Sequence, residues 1–561
     1  MQNDPLSPQE PTADPAVTSP TPTPPTQPLP PDLNQPAQPE PAVLAPAPQP
    51  KPARKKKILT TLLVLLLLAG AAAAGYFLLL KKDKPSTTQS IVKKDIPVLT
   101  VEYNESTVPQ YPLKMGGYGA DSNLILQLFE GLVQFQNTTD IKPLLATSWY
   151  NPDPSTWVFT LRQGIKFHTG REMTSDDVKS TLDYAIAHQK DSKVTFFTAA
   201  STLKSIEATG RYQVKITTNS PDPLLLARLS TLPIFDPKAK LGDYDSGTGP
   251  YIVKPGTTTT DSAIDLVATD NYWGGHVYTR EVKAEFVGDE DKLIKNIDDN
   301  KFDISGSFVG NELSHFKVPY TKLKVPDQGL TLLMLNTEKS GSPLQSLAFR
   351  QALEYAIDKP KLIKDSGLEG SPADQIVPIS LPGHNPDISA VPYDLEKVKS
   401  LTKDVKGATD QLTLATTDAS GGPEALAKQL NDAGFNIKIV LLSDFDQFVN
   451  DGFGGKYDMI TFNYTSNFTD GLDILNIALT GTKNYDNSQI DSLLDQTSKT
   501  FDAKQRISLM QQIATIADKE KPIIPLYTHT RIYAITKPNI VAKADMQDFS
   551  NSAYYWKVYQ K

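Results

Sequence analysis

Residues 128–185 read LFEGLVQFQNTTDIKPLLATSWYNPDPSTWVFTLRQGIKFHTGREMTSDDVKSTLDYA, and this stretch decides the fold. Large apolar side chains recur at every second position over 157–161, and Ile165 and Phe167 repeat that spacing after Gly164. A two-residue period is typical of β-strands, and glycine is a common turn residue. We therefore predict a hairpin of two strands that turns at Gly164.

A helix start follows the predicted hairpin. Thr174 precedes Asp176 and Asp177. A threonine hydroxyl can accept the free amide hydrogens of a helix's first turn, and acidic side chains suit the positive end of the helix dipole. We predict a helix over 176–188 whose buried stripe begins at Val178.

The chain beyond residue 96 mixes strand-like and helical segments. Leu330–Leu335 is an apolar run of strand length, and Leu347–Ile357 carries apolar residues at helical spacing. The stretches 436–442 and 458–463 have the composition of two further strands. Such a mixed order of elements predicts an α/β architecture.

Seven segments in one order resemble the family 5 extracellular solute-binding proteins, the peptide, dipeptide and nickel receptors of ABC importers. The resemblance covers roughly 96–561. Its segments are the opening stretch, GTGPYIV (247–253), NYWGG (271–275), LAFRQALEYAIDKPKLI (347–363), VPYDLEKVKSL (391–401), KYDMITFNY (456–464) and KPIIPLYTHTRIYAI (521–535).

This resemblance implies a two-lobed α/β fold like that of the periplasmic binding proteins, of the large class with an extra subdomain. In that family the chain forms one lobe, crosses to a second and returns. On this sequence, lobe one would be 96–330 with 525–561, and lobe two would be 331–524. The two crossings would lie near Leu330–Asn336 and Ile523–Tyr527, apolar β-type runs suited to hinge strands.

The N-terminal part has a different composition. Residues 1–52 hold 18 of the chain's 44 prolines and few aromatic residues, which predicts a disordered or polyproline II tail over 1–57. Residues 58–80 carry no charge, and at ~1.5 Å per residue they are long enough to cross a bilayer core of ~30 Å. We expect one transmembrane signal-anchor helix there, followed by a polar stalk over 81–95.

Basic residues predict the orientation of that helix. Five of them lie between Lys51 and Lys57, against three between Lys81 and Lys84, so we expect a cytoplasmic N-terminus and an extracellular C-terminal part at the cell membrane. A cleavable signal peptide that ends in the small residues of 69–75 is the competing interpretation, and the long preceding tail counts against it. Because cysteine is absent, we expect no lipid anchor.

Composition excludes several classes of protein. A net charge of -8, with scattered basic residues, argues against nucleic acid as a partner. The lack of cysteine removes thiolate catalysis and thiolate metal sites. The six histidines are far apart and lack the spacing of paired metal ligands, so we expect ordinary surface or packing roles for them. We predict a monomer that is not an enzyme and has no metal or cofactor.

Two loop segments have the composition of a binding cleft. In MGGYGADSN (115–123), glycines permit a close approach of the backbone to a ligand that Tyr118 and Asp121 could contact. In FNYTSNFTDGLD (462–473), aromatic and amide side chains follow a predicted strand. The alternatives are a glycine-rich loop that caps the next helix and an ordinary strand-to-helix loop.

The resemblance implies specific ligand contacts in the second segment. Peptide receptors of the family carry a pattern like Trp-x-Ala-Asp-Tyr-x-Asp-Pro, in which the first aspartate pairs with the α-ammonium of the peptide. Tyr464 aligns with the tryptophan, Asn467 with that aspartate, Phe468 with the tyrosine and Asp470 with the second aspartate. Because asparagine lacks the charge, either Asp470 or Asp473 replaces it or the ligand is not anchored by a free amino terminus.

These observations predict a membrane-anchored extracellular substrate-binding protein of an ABC importer. It would bind oligopeptides, or a similar small solute, by closure of two lobes and deliver them to permease subunits. The alternative is a sensory or adhesive surface receptor with the same fold, whose proline-rich tail recruits a partner in the cytoplasm.

Overall fold

The structure is a computed structural model in which the chain divides into two units, 1–89 and 90–561. Among the residues that it describes, no helix is both long and apolar enough to cross a membrane. The predicted tail and transmembrane helix, 1–80, lie outside those residues, as does most of the predicted stalk. The described residues are 92–102, 121–135, 141–188, 200–239, 246–257, 262–308, 311–418, 421–442, 444–465, 470–543 and 554–561.

The strands of these ranges are short except for two. They are β1 (Leu99–Glu102), β2 (Val133–Phe135), β3 (Ile141–Pro143), β4 (Ala146–Asp153), β5 (Thr156–Leu161), β6 (Leu203–Gly210), β7 (Gln213–Thr218), β8 (Tyr251–Val253), β9 (Ala263–Ala268), β10 (Glu281–Glu285), β11 (Ile304–Phe308), β12 (Thr321–Leu335), β13 (Gly370–Pro372), β14 (Gln411–Thr416), β15 (Asn436–Leu441), β16 (Met459–Thr465), β17 (Ile523–Ile535), β18 (Ile540–Val541) and β19 (Tyr559–Gln560).

The helices lie mostly in the second half of the chain. They are α1 (Asp121–Leu128), α2 (Ser175–Ala187), α3 (Leu225–Ser230), α4 (Glu290–Asp298), α5 (Leu347–Tyr355), α6 (Lys359–Asp365), α7 (Leu395–Thr402), α8 (Gly422–Asp432), α9 (Phe445–Gln447), α10 (Leu472–Leu479), α11 (Ser488–Lys499) and α12 (Ala503–Glu520). Helix α9 continues into a π-helical turn, Phe448–Phe453.

Local sequence explains several helix starts. Asn487 and Asp502 cap α11 and α12 by accepting hydrogen bonds from backbone amides of the first turn. At α2 the Thr174 amide donates to the Asp177 carboxylate at 2.8 Å, and Val178 is buried. The helix predicted after Thr174 is therefore confirmed.

The predicted hairpin at Gly164 is wrong. Strand β5 pairs with β4 and β7 in a four-stranded antiparallel sheet of order β4-β5-β7-β6. Ile165 and Phe167 are buried but bond locally, since the Ile165 carbonyl accepts from the Met173 amide and the Phe167 amide donates to the Arg171 carbonyl. Their two-residue spacing reflects two side chains that point into the core and not a strand.

One large mixed sheet runs through the described unit, in the order β15-β14-β16-β12-β17-β11-β1-β10-β9-β8, with β13 also on β17. Strands β14, β15 and β16 are parallel to one another, and β1 is parallel to β10 and β11. The long strands β12 and β17 are antiparallel neighbours at the centre. The sheet therefore consists of two groups of parallel strands joined by two long central strands.

Four hydrophobic cores surround this sheet. The first core is built from residues 96–284 together with Ile304 and residues 533–558. We call the part of the molecule around this first core the first half and the part around β14, β15 and β16 the second half. The second and third cores cover the two faces of the sheet in the second half, because Leu332 of β12 lies in the second core and Leu333 in the third. A smaller fourth core includes Ile297 and Ile532. Strand β17 thus contributes to the cores of both halves.

Three of the sequence motifs meet at the buried carboxylate of Glu130. Its Oε1 accepts from the Tyr272 hydroxyl at 2.6 Å, and its Oε2 accepts from the Trp273 indole and the Thr248 hydroxyl at 2.8 Å each. The guanidinium of Arg162 lies 4.6 Å from the centre of the Trp273 ring. The family-like motifs around 130, 248 and 272 therefore form one framework site inside the first half.

Candidate functional site

The carboxyl ends of parallel strands mark one edge of the site. Strands β14 and β15 end level with each other at Thr416 and Leu441, and the neighbouring β16 runs about four residues further, to Thr465. The connection from β14 to β15 runs through α8, which packs in the third core. The connection from β15 to β16 runs through Phe448, which packs in the second core, so the two connections lie on opposite faces of the sheet. In open α/β sheets, ligands bind outside the carboxyl ends of strands at such a switch point.

The parallel strands of the other half end facing the same place. Strand β11 ends at Phe308, which is opposite Ile532 of β17, and β16 ends at Thr465, which is level with Thr528 because Gly329 and Leu330 of β12 are adjacent. Four residues of an extended strand span about 13 Å, so the carboxyl ends of β16 and β11 are separated by roughly that distance along β17.

Both central strands are irregular at this level. The pairing of β12 with β17 shifts between Pro326 and Leu330, which leaves three residues of β12 opposite His529 alone, and it shifts again between Thr331 and Leu332 at Pro525 of β17. Bulges interrupt the ladder of hydrogen bonds, and proline has no amide hydrogen to contribute to it. The sheet is therefore least continuous where the two edges face each other.

Polar side chains line this irregular part of the sheet. Thr331 Oγ1 donates to Asn463 Oδ1 at 2.8 Å and lies 2.9 Å from His529 Nε2. Because the threonine hydrogen is committed to Asn463, the fitting tautomer of His529 donates from Nε2 to the threonine oxygen. Asn463 is exposed and His529 half-buried. We refer to Thr331, Asn463 and His529 as the polar trio.

Tyr527 packs against the polar trio. It is opposite Thr331 in the ladder, and its ring lies 5.4 Å from that of His529 in an edge-on arrangement. Burial raises the pKa of the Tyr527 hydroxyl to about 12, so this side chain stays neutral over the physiological range. Thr331 and His529 therefore hold the exposed Asn463 amide on a rigid base.

Tyr464 and Asp473 flank the same edge on the opposite face of β16. The Tyr464 hydroxyl donates to Asp473 Oδ2 at 2.7 Å, and its ring stacks on Phe462 at 5.7 Å. Asp473 belongs to the first turn of α10. A cavity of about 370 Å³ lies beside it, bounded by α10 and α11 on one side and by Leu224 and Arg228 on the other.

Asp470, which the sequence predicts as a ligand contact, lies in the interior of the protein. It is buried, it forms an ion pair with the buried Arg506 of α12, and its Oδ1 accepts from the Leu472 amide at 3.1 Å. Burial raises the pKa of Asp470, and the Arg506 charge opposes that shift. Its carboxylate therefore anchors α12 to the start of α10.

The side chains of the remaining predicted site residues lie outside the part of the chain that the structure describes. Tyr118, Asn467 and Phe468 lie outside the described residues. Asp121 is the first residue of α1, and its side chain also lies outside the described part. Within the described ranges, no group of three or more His, Asp or Glu side chains is arranged to hold a metal ion.

Sequence reasoning missed Thr331 and His529, whereas Asn463 lies in the segment 462–473 that was expected to have the composition of a binding cleft. We expected His529 to have an ordinary surface or packing role, and the structure places it in contact with Thr331 at the candidate site. A signal was available in THTR (528–531), a polar run inside an otherwise apolar strand segment. Thr331 carried no comparable signal, because only the pairing of β12 with β16 brings it next to Asn463.

Several curated proteins that are similar to the chain are solute-binding proteins. The heme-binding protein A of Haemophilus influenzae is 27% identical over 488 residues, covering 78% of this chain and 87% of that protein. The nickel-binding protein NikA of Staphylococcus aureus is 25% identical over 443 residues (73% and 86%). The probable D,D-dipeptide-binding periplasmic protein DdpA of Escherichia coli is 24% identical over 479 residues (79% and 87%).

Solved structures show the same fold. The ABC transporter substrate-binding protein CtaP of Listeria monocytogenes has a TM-score of 0.72 at 18% identity, over 83% of this chain and 100% of that one. The unliganded open form of the murein tripeptide-binding protein MppA has a TM-score of 0.70 at 20% identity (83% and 98%). At this level of identity these likenesses show the mixed α/β, two-lobed periplasmic-binding-protein fold alone.

A sequence profile identifies the family. The profile described as "Bacterial extracellular solute-binding proteins, family 5 Middle" matches residues 140–486. The match includes the framework around Trp273, all of β12 and the strand β16 that carries Asn463 and Tyr464. The chain belongs to family 5 of the bacterial extracellular solute-binding proteins.

Proposed function

We propose that this chain captures an oligopeptide, or a similar small solute, between two lobes and delivers it to the permease of an ABC importer. The observation that carries the proposal is the opposition of the two sets of strand ends across the irregular middle of β12 and β17. We propose lobes of 96–330 with 525–561 and of 331–524. Residues 58–80 would anchor the protein in the cell membrane, with the two lobes outside the cell.

The side chains at this edge favour a peptide. The relatives include proteins named as heme, nickel and D,D-dipeptide binders, so membership of the family does not select a ligand and the choice depends on the side chains of the site. Asn463 is exposed and offers its amide for hydrogen bonding, whereas the carboxylates of Asp470 and Asp473 are already engaged. An exposed amide beside an interrupted strand suits the main-chain amides of an extended peptide.

The test starts from purified protein freed of solute and incubated with a mixture of dipeptides to hexapeptides. Native mass spectrometry identifies the retained peptide, and calorimetry measures its Kd. Because Asn463 is exposed, Asn463→Ala should fold normally and weaken binding about three- to tenfold, the loss of roughly one hydrogen bond. Asn539→Ala, an exposed asparagine outside the site, is the control. Retention of no peptide, or equal affinities of the two variants, contradicts the proposal.

A further inference from the structure

Each half of the molecule contributes one apolar side chain to a hydrophobic core of the other half. Both side chains lie outside the two central strands. Leu224, which precedes α3, is 6% exposed and belongs to the second core, whose other described buried members all lie within 330–523. Phe501, in the link between α11 and α12, packs in turn against the first core. Each half therefore buries part of an apolar side chain that the other half presents.

An aromatic contact lies in the same interface. The Trp157 ring of β5 is 5% exposed, and its centre is 6.1 Å from the centre of the Phe501 ring. Aromatic pairs at this separation add to the free energy gained from burial. Leu224, Trp157 and Phe501 thus join the four-stranded sheet of the first half to the helices of the second.

The backbone that presents Leu224 is held firmly. Asp222 Oδ1 accepts from the Leu224 amide at 3.0 Å, and Asp222 Oδ2 accepts from the Thr202 hydroxyl at 2.7 Å. The same carboxylate forms an ion pair with Arg228 at 3.3 Å. Phe501 is fixed by the capping of α12 through the neighbouring Asp502. Both side chains are therefore presented in defined positions and do not depend on loop motion to meet their partners.

This interface is connected to the candidate site. Leu224 and Arg228 bound one side of the cavity whose other side includes Asp473 of α10, and Asp473 accepts from the Tyr464 hydroxyl at the end of β16. A rotation of the halves about β12 and β17 would change the distance between α3 and α10. The contact can therefore respond to what happens at the strand ends.

We propose that Leu224, Trp157 and Phe501 form a clasp that holds the two lobes together in the absence of solute. The population of the closed form is then set in part by this apolar contact, and a solute adds to a closed state that already exists. A clasp of this kind raises the apparent affinity for the solute, because the closed form that binds it is populated before the solute arrives.

The chain contains no cysteine, so a dye pair can be attached at Tyr150→Cys and Tyr393→Cys, two exposed positions in different halves. Single-molecule energy transfer on solute-free protein should show a major population at the separation seen in this structure. Leu224→Ala and Phe501→Ala should each lower the closed-to-open ratio on the order of tenfold, since each removes buried apolar area from the contact.

Leu226→Ala is the matched control, because Leu226 lies on α3 but packs against the first core of its own half. It should leave the distance distribution unchanged, and thermal unfolding should show that all variants are folded. An unchanged distribution in Leu224→Ala and Phe501→Ala, or a solute-free protein that is entirely open, overturns the clasp. Failure to bind any peptide with an intact clasp would count against the proposed function alone.

Discussion

At the scale of single residues, carboxylates that share a segment do different work. Asp470 is paired with Arg506 and Asp473 with the Tyr464 hydroxyl. The resemblance located this segment, but it could not assign roles within it, because Arg506 lies on a helix more than thirty residues further along. Tertiary neighbours decide which carboxylate is available.

Recognition of a peptide's amino terminus can be tested on this basis. A charge-assisted hydrogen bond is about twice as strong as a neutral one, and the carboxylates of Asp470 and Asp473 are already engaged. We expect acetylation of the amino terminus of a bound peptide to change its Kd by less than about threefold. Calorimetry on matched free and acetylated peptides measures this, and a loss of more than about tenfold would show that an ammonium group is bound.

The buried carboxyl of Glu130 predicts a dependence of stability on pH. Burial raises its pKa from 4.5 to about 7, against the opposing effect of its three hydrogen-bond donors. Since the folded state favours the protonated form, its stabilisation is complete below pH 4.5 and is lost as the pH rises through 7.

Glu130→Gln should remove this dependence. Relative to the wild type, the free energy of unfolding of the variant should rise by about 2 to 3 kcal/mol between pH 5 and pH 8.5. Denaturant unfolding of both proteins at several pH values gives the difference between their free energies of unfolding. Burial also raises the pKa of Glu102 to about 7, but this group titrates in both proteins and its effect cancels in the difference. Parallel curves for the two proteins would contradict the prediction.

At the scale of elements, local pattern succeeded where local interactions decide the outcome. The start of α2 followed from Thr174 and the acids after it, because a cap is made by residues three positions apart. The hairpin at Gly164 failed, since β5 takes its partners from β4 and β7 and the residues after Gly164 bond to 171–173. Alternation shows which side chains are buried but not which strand they pair with.

Strand β13 gives an element-scale prediction. Gly370 lies opposite His529 in the ladder, and a Cβ at this position would stand 2.1 Å from the Thr528 carbonyl oxygen. Gly370→Ala should push β13 away from β17, disturb the polar trio and weaken peptide binding at least about tenfold, with a loss of stability of about 1 to 3 kcal/mol. Gly210→Ala, where the nearest atom is 3.9 Å away, is the control. Equal Kd values in calorimetry would contradict the prediction.

At the scale of the whole molecule, the resemblance predicted the class of fold and two central strands, and the structure adds their extent. Both strands are longer than the apolar runs seen in the sequence, because their polar middles, such as THTR in β17, are also paired. Hydrophobic pattern alone stops where a strand becomes polar. The exchange of Leu224 and Phe501 between halves had no sequence signal, since both are ordinary apolar residues near helix ends.

The composition of the first core has a consequence for how the protein is made. Tyr533, Tyr555 and Val558 are members of a core that begins at Ile96, and the Gln560 amide donates to the Lys94 carbonyl at 2.9 Å. That half cannot finish folding on the ribosome until residues near 558 have emerged. Contacts so distant in sequence also form slowly, so the first core is completed late, after the chain from 96 to about 558 has been made.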